Sequence, residues 1–305
     1  MDADVVIVGG GPAGLTCGMF AKRFGLSATL VEQMGMGGQL INVHDVKDYP
    51  GFPAGVAGWD LSATLGEHAQ GAGVEIEFGS IQGMSSSDGA WVLQLDDRQL
   101  RTKAVVIATG CSPRPVPVPE EEKLRGRGIA YCATCDGEFF RGQKVAVVGG
   151  GDTGMSEATY LADVASEVFV LFQEPAPPAA AAWYDDARKH GNIKFMPLTR
   201  VTAVLGDEGV TGLRYLNVQS SEESELEVSG VFGAVGFIPN SEQFKGVLET
   251  DEAGFIKTDQ NLACSVPGVF AAGDVRSGAA MQVAGAVGDG VQAALSVRKY
   301  LRQEG

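Results

Sequence analysis

The stretch Val5-Val6-Ile7-Val8-Gly9-Gly10-Gly11-Pro12-Ala13-Gly14, followed by the apolar run Leu15 to Phe24, decides the fold class. Four consecutive β-branched residues read as a buried strand, and the run after the glycines reads as a helix. Between them stands GxGxxG, with Gly9, Gly11 and Gly14 at the fixed positions and Pro12 and Ala13 opening the helix. Those glycines allow a tight turn, let a pyrophosphate approach the helix N-terminus, and let the helix pack close to the strand. A second strand, Ala28 to Val31, ends in Glu32, whose carboxylate can accept both hydroxyls of an adenosine ribose. The element recurs 140 residues later: Val145 to Val148 leads into Gly149-Gly150-Gly151-Asp152-Thr153-Gly154, a helix through Glu157, Ala158 and Leu161, and a strand from Val168 to Leu171. The chain is therefore read as α/β with two Rossmann-like nucleotide-binding domains.

The two copies part at the acidic position. Glu32 becomes Phe172, followed by Gln173-Glu174-Pro175-Ala176-Pro177-Pro178, and no Arg or Lys occurs between Lys144 and Arg188. Two such folds imply two nucleotide-sized crevices, or one crevice and one relic.

Just before the second copy lies Tyr131-Cys132-Ala133-Thr134-Cys135-Asp136-Gly137. Two thiols separated by two residues can close a small disulfide ring and so store and release two electrons with little backbone movement. Asp136 adds a carboxylate that could carry the protons which thiol-disulfide exchange must move. A zinc half-site is the alternative, but the chain has no second CxxC or HxxxH, and His44, His68 and His190 are scattered. A redox pair is the preferred reading, and no metal site is expected.

A chain of 305 residues suggests about two domains. Its formal charge of −15, from 23 Lys and Arg against 38 Asp and Glu, argues against a nucleic-acid partner. The opening Met1-Asp2-Ala3-Asp4 has no basic segment and no apolar run reaches membrane-spanning length, so a soluble cytoplasmic protein without membrane association is expected. Of five cysteines, Cys17, Cys111 and Cys264 stand singly in apolar or loop settings and are expected to be inert. Between the repeats come a β-rich stretch from Val74 to Leu95, a strand from Ala104 ending in Ala108-Thr109-Gly110, and a proline-studded segment, Pro113 to Pro119, that reads as a linker. A second breaker-rich crossing runs from Gly233 to Asn240, and a small-residue helix pattern from Gln282 to Tyr300. The apolar strand that ends in Gly273-Asp274 can place an Asp and a helix N-terminus beside a flavin's ribityl chain and ring; an ordinary strand end is the other reading.

Taken in order, Gly9 to Gly14, Gly37-Gly38-Gln39-Leu40, Ala108-Thr109-Gly110, Cys132 to Gly137 and Gly268 to Asp274 resemble the low-molecular-weight thioredoxin reductases over nearly the whole chain. The resemblance implies a glutathione/thioredoxin reductase-like FAD domain, residues 1 to 112 and 240 to 305, with an inserted middle domain, 113 to 239, that carries the redox pair. It also implies a homodimer and a thioredoxin-like protein disulfide as substrate. By position, Cys135 resembles the thiol that meets the flavin, Cys132 the one that attacks the substrate disulfide, and Asp136 the acid/base. Asp274 and Gln282 resemble flavin-contacting residues.

Two departures from the family pattern matter. Members that use NADPH carry HRRxxxR after the second strand of the middle domain; the matching positions here are Phe172, Gln173, Glu174 and Pro178. Each Arg–phosphate contact contributes roughly 1.5 to 3 kcal/mol. Losing two weakens binding on the order of a hundredfold to ten-thousandfold, and Glu174 would repel the phosphate. The second departure is Gly154, where the family usually has Ala, together with Met281 in place of a basic neighbour of Gln282. NADPH is therefore expected to be a poor reductant. Three routes remain: a protein donor such as ferredoxin, which is favoured; NADH, with Glu174 reaching the ribose diol; or reversed chemistry that oxidises a small dithiol and passes electrons to oxygen. A flavin-bearing redox sensor without turnover is the non-enzyme alternative. For an acidic donor the candidate docking residues are Arg114, Lys123, Arg125, Arg127, Arg141 and Lys144.

Overall fold

The strand Ala3–Val8 is buried along nearly its whole length because both of its faces are covered. Side chains alternate across a strand, and the two sets go to two cores in this computed structural model, which describes residues 1–303. Val5 and Ile7 pack with Leu15, Cys17 and Ala21 of the first helix, Pro12–Arg23, and with Ala293, Ala294 and Val297 of the terminal helix, Val283–Gln303. Val6 and Val8 pack on the opposite side with Leu93, Ile107, Phe244 and Val269. Continuous burial of this kind is the signature of a parallel sheet clad on both faces.

The chain forms two units, one made of Met1–Ser112 with the segment from Ile238 onward, the other of Pro113–Phe237. In the first, Ala3–Val8 pairs in parallel with Ala28–Glu32 and with Gln99–Ile107. The β-rich stretch of the sequence resolves into Glu75–Phe78, which extends the parallel sheet, and an antiparallel pair, Gly83–Ser87 and Ala90–Gln94, which continues it beyond Gln99–Ile107. The C-terminal segment returns a short strand, Val269–Ala271, against Gln99–Ile107. A sheet strand from each end of the chain therefore builds one unit. The terminal helix comes so close to the first that a Cβ on Gly290 would overlap the Ala13 carbonyl.

The second unit repeats the design around Lys144–Val148, which pairs in parallel with Glu167–Leu171 and Gly230–Gly233. Ile193–Met196 and Ile129–Ala130 complete a five-stranded sheet, and the helix Asp152–Ala162 follows the glycine loop. An antiparallel sheet of Thr199–Leu205, Gly212–Asn217 and Glu223–Leu226 lies in the same unit. The expected linker is not a free spacer. Val116 and Val118 are buried in the core of the second unit with Leu124, Val201 and Val231, because the prolines hold the segment extended while its alternating valines still supply one apolar face.

In both units the turn after the first strand depends on close backbone approach. Gly9 has φ +108° and lies against the Ala108 carbonyl, and a Cβ on Gly14 would overlap the Gly9 carbonyl oxygen. Gly149, Gly154 and Ala234 reproduce this triangle, so the glycine at 154 answers a packing demand of this chain. Gly14→Ala should lower stability by about 1–3 kcal/mol, measured as a fall in midpoint on denaturant unfolding of the apoprotein.

Candidate active site

In the first unit the glycine turn, Glu32, Gly38, Ala108 and Gly273 come together. The first helix has Gly11 at its N-cap without a side-chain cap. Its first-turn amides therefore lack an internal partner and carry the positive end of the helix dipole. Gly38 faces Gly11, with a Cβ built on Gly38 lying 3.1 Å from the Gly11 Cα. No side chain stands over the amides from either position, which leaves backbone open to a pyrophosphate. Glu32 is drawn back onto the turn: Oε2 accepts the Gly10 N–H at 2.6 Å and Oε1 accepts the Met34 N–H at 2.9 Å. Oε1 also takes the Gly35 N–H at 3.4 Å, while Oε2 keeps a second lone pair for a hydroxyl donor.

On the other side of the turn, Gly273 lies against Ala13, and a Cβ on Gly273 would meet the Ala13 Cβ at 2.9 Å. The Gly273 N–H donates to Asp289 of the terminal helix at 2.9 Å, and Arg276 forks onto the same carboxylate at 2.5 and 2.9 Å. Asp289 therefore fixes the turn that presents Asp274. Burial, followed by the Asp289 charge, pushes the Asp274 pKa up, with Arg276 opposing. Thr109 and Gly110 are engaged with the returning chain: the Thr109 hydroxyl donates to the Asn240 carbonyl at 2.6 Å, Asn240 Nδ2 donates back to Thr109 at 2.9 Å, and the Asn240 N–H donates to Gly110. Leu40 is buried with Val46 and Leu61. Gln39 and Gln282 are exposed, Gln39 accepting from Asn42.

In the second unit Cys132 and Cys135 are joined as a disulfide, with Cα atoms 5.3 Å apart. Cys132 is the N-cap of a helical turn, Ala133–Asp136, and its sulfur accepts the Cys135 N–H at 3.1 Å. Cys132 is buried and Cys135 exposed. Tyr131, immediately before the pair, donates its hydroxyl to Glu121 at 2.7 Å and accepts the Val116 N–H at 2.8 Å, while Arg125 forks onto Glu121 at 2.8 and 2.9 Å. That network ties the entry to the redox turn to the packed proline segment. Burial pushes the Asp136 pKa up. One carboxylate was not legible in the sequence. Glu157, 24 residues beyond Ala133, accepts the Ala133 N–H at 2.5 Å. Burial, then the Asp136 charge, raises its pKa to about 7 against the opposing pull of that amide. The three single cysteines sit where burial raises their thiols to about 12.

The second glycine loop keeps Gly151 open at the N-cap of its helix, with no atom within 4 Å of a built Cβ, and differs from the first in the side chain beside Gly150. Phe172 stands where Glu32 stands in the first unit, its ring so near that a Cβ on Gly150 would lie 2.7 Å from Cγ. Downstream, the Ala179 N–H donates to Gly150 at 3.2 Å and the Ala180 N–H to Asp152 Oδ1 at 2.7 Å.

A family model described as pyridine nucleotide-disulphide oxidoreductase matches residues 3–290. The chain belongs to this family. Within it the chain is 36% identical over 301 residues to the thioredoxin reductase of Bacillus subtilis, covering 98% of this chain and 95% of that one. It is 37% identical over 299 residues to a Clostridium pasteurianum protein described as the 34.2 kDa protein in the rubredoxin operon, covering 98% and 97%. The crystal structure of Lactococcus lactis thioredoxin reductase, titled as the FR conformation, matches with a TM-score of 0.96 at 36% identity, covering 99% of each chain. The protein is a flavin-dependent disulfide oxidoreductase of the thioredoxin reductase family, and FAD is the family's cofactor.

Of the six candidate docking cations, Lys123 is paired with Asp207, Arg125 with Glu121 and Arg141 with Glu138, and Lys144 shares Glu167 with Lys194. Among the described residues no group of three or more His, Cys, Asp or Glu is placed to hold a metal, and no helix is long and apolar enough to cross a membrane. A Cβ on Gly11 would lie 3.9 Å from the nearest atom, the Gly38 Cα. Gly11→Ala should therefore leave apoprotein unfolding unchanged within about 0.5 kcal/mol while weakening FAD retention, read by flavin fluorescence after gel filtration.

Proposed function

We propose that this chain passes electron pairs from FAD through Cys132 and Cys135 to a thioredoxin-like protein disulfide, and that its electrons arrive from a protein donor such as ferredoxin instead of from NADPH. The observation that carries the donor reading is the second glycine loop. Phe172 fills the ribose-side position beside Gly150, and the segment to Ala180 is hydrogen-bonded across Gly150 and Asp152. The nearest downstream cations, Arg188 and Lys189, are paired with Asp185 and Asp186. A 2′-phosphate brought to this loop meets an aromatic ring and carboxylates where the arginine forks that suit it are missing.

FAD, when bound, supplies a ring that takes up and returns an electron pair. Its pyrophosphate fits the open amides of Gly11, Ala13 and Gly14, with Gly9 shaping the turn, Pro12 opening the helix and Glu32 toward the ribose. Gly38, Gln39, Leu40, Ala108, Thr109 and Gly110 line the approach, and Gly273, Asp274 and Gln282 serve the ribityl and ring side. Cys135 is the thiol that meets the flavin. Cys132, as thiolate, attacks the partner disulfide, forms a mixed disulfide and expels one partner thiolate; Cys135 then attacks Cys132, which closes the ring and expels the second. Asp136 supplies a proton to a departing thiolate. Since Cys132 is the buried member of the closed pair, opening of the ring must also expose it. A cytoplasmic homodimer is the assembly this reading takes over from the resemblance.

Flavin reduction followed by stopped flow should be fast with reduced ferredoxin and slow with NADPH. NADPH reduction at the ferredoxin rate would reject the donor assignment. Cys135→Ser should keep FAD and abolish disulfide turnover; retained turnover would reject the pair. Placing Arg at Gln173, Glu174 and Pro178 together should strengthen NADPH binding by no more than about tenfold, since Phe172 and the Ala179–Ala180 contacts remain.

A further inference from the structure

Glu157 belongs to the helix that opens the second glycine repeat, yet its carboxylate serves the redox turn. Oε2 accepts the N–H of Ala133, the first residue of the turn capped by Cys132, so one hydrogen bond fastens the segment between the two cysteines to the body of the unit. Asp136 closes that turn, near enough for its charge to act on Glu157. The other charged side chains on elements packed against this helix are engaged elsewhere: Lys144 and Lys194 with Glu167, Asp185 with Arg188, Asp186 with Lys189. A buried carboxyl beside a second carboxylate ionises less readily, so burial and the Asp136 charge both favour the protonated form of Glu157.

We propose that Glu157 is the positioning residue of the redox pair, holding the Ala133 amide in place and, together with Asp136, storing one proton that is released to the pair when its disulfide opens. The inference rests on Cys132 and Cys135 being the redox pair. The two electrons that open the pair break the S–S bond and leave two thiolates, and the proton that reduced flavin gives up with those electrons passes to solvent. One thiolate takes its proton from Asp136; the carboxyl pair is then fully ionised and takes a proton back from solvent. A carboxyl group held protonated near pH 7 matches the raised Glu157 pKa, and it delivers its proton where reduction creates negative charge.

The experiment uses the FAD holoenzyme in oxidised and dithiothreitol-reduced forms. In the wild type, redox difference infrared spectra should show the carbonyl band of a protonated carboxyl that titrates near pH 7; absence of any such band between about pH 5 and 8 overturns the proton store whatever the variants do. Glu157→Gln keeps an oxygen that can accept from Ala133. It should retain disulfide turnover within about threefold at its optimum but lose both the band and the inflection of the pH–rate profile near 7. Glu157→Ala should lose about tenfold or more at every pH, with FAD still bound. Superposition of the Gln profile on the wild type, or equal pH-independent losses in both variants, overturns the proposal. A failure of the pair reading itself is recognised separately, by turnover that survives Cys135→Ser.

Discussion

Backbone pressed against backbone at the end of a strand is the constraint on which both halves of this protein depend. A carbonyl at Gly9 or Gly149 sits where a Cβ at Gly14 or Gly154 would have to be. Closing that distance brings the uncapped end of a helix over the strand end, which concentrates unpaired N–H groups at one point on the surface. The packing that stabilises the unit and the cradle that can receive a phosphate are therefore one feature. Any side chain that relieved the crowding would also displace the amides.

The same turn occurs twice in the chain, and the two copies differ in the side chain that stands beside the second glycine, Glu32 beside Gly10 and Phe172 beside Gly150. Glu32 turns back to accept hydrogen bonds from the loop amides of Gly10 and Met34. Phe172 has no acceptor to offer, is buried with Val147, Val170 and Ala187, and presses its ring against Gly150. Burial of an aromatic ring is favourable by itself, so the second loop gains stability from the group that occupies it. A polar residue there needs partners, as Glu32 finds in the Gly10 and Met34 amides; an apolar one does not.

Much of this was legible because periodicity and glycine spacing are local signals. The parallel strands, the helices after both glycine loops and the terminal helix follow from runs such as Val5 to Val8 and the small-residue pattern after Gln282. Interactions between distant residues were not legible. Nothing around Glu157 in sequence marks it as a partner of Ala133, since the contact arises only when the helix Asp152–Ala162 packs against the redox turn. The pairing of Lys144 with Glu167 across adjacent strands likewise gives a basic residue in sequence a carboxylate partner in space. Val116 and Val118, set among prolines, read as linker because breakers dominate the composition while the alternation that buries them is only two residues long.

Five thiols occupy this chain, and the structure separates two of them from the rest by electrostatics more than by exposure. Cys17 and Cys111 are buried among apolar or acidic surroundings that hold them protonated, Cys111 donating to the Asp274 carbonyl at 3.1 Å. Cys264 is partly exposed, yet burial of its sulfur and the Asp259 charge have the same effect. Cys132 is nearly as buried, but its sulfur already receives the Cys135 N–H and lies 3.2 Å from the Thr134 hydroxyl at the head of a helical turn. The amide, and the hydroxyl when it turns its proton toward the sulfur, can donate to Cys132 once the ring opens. The two sulfurs set apart in this way are the ones closed into a disulfide, while burial holds the other three as thiols.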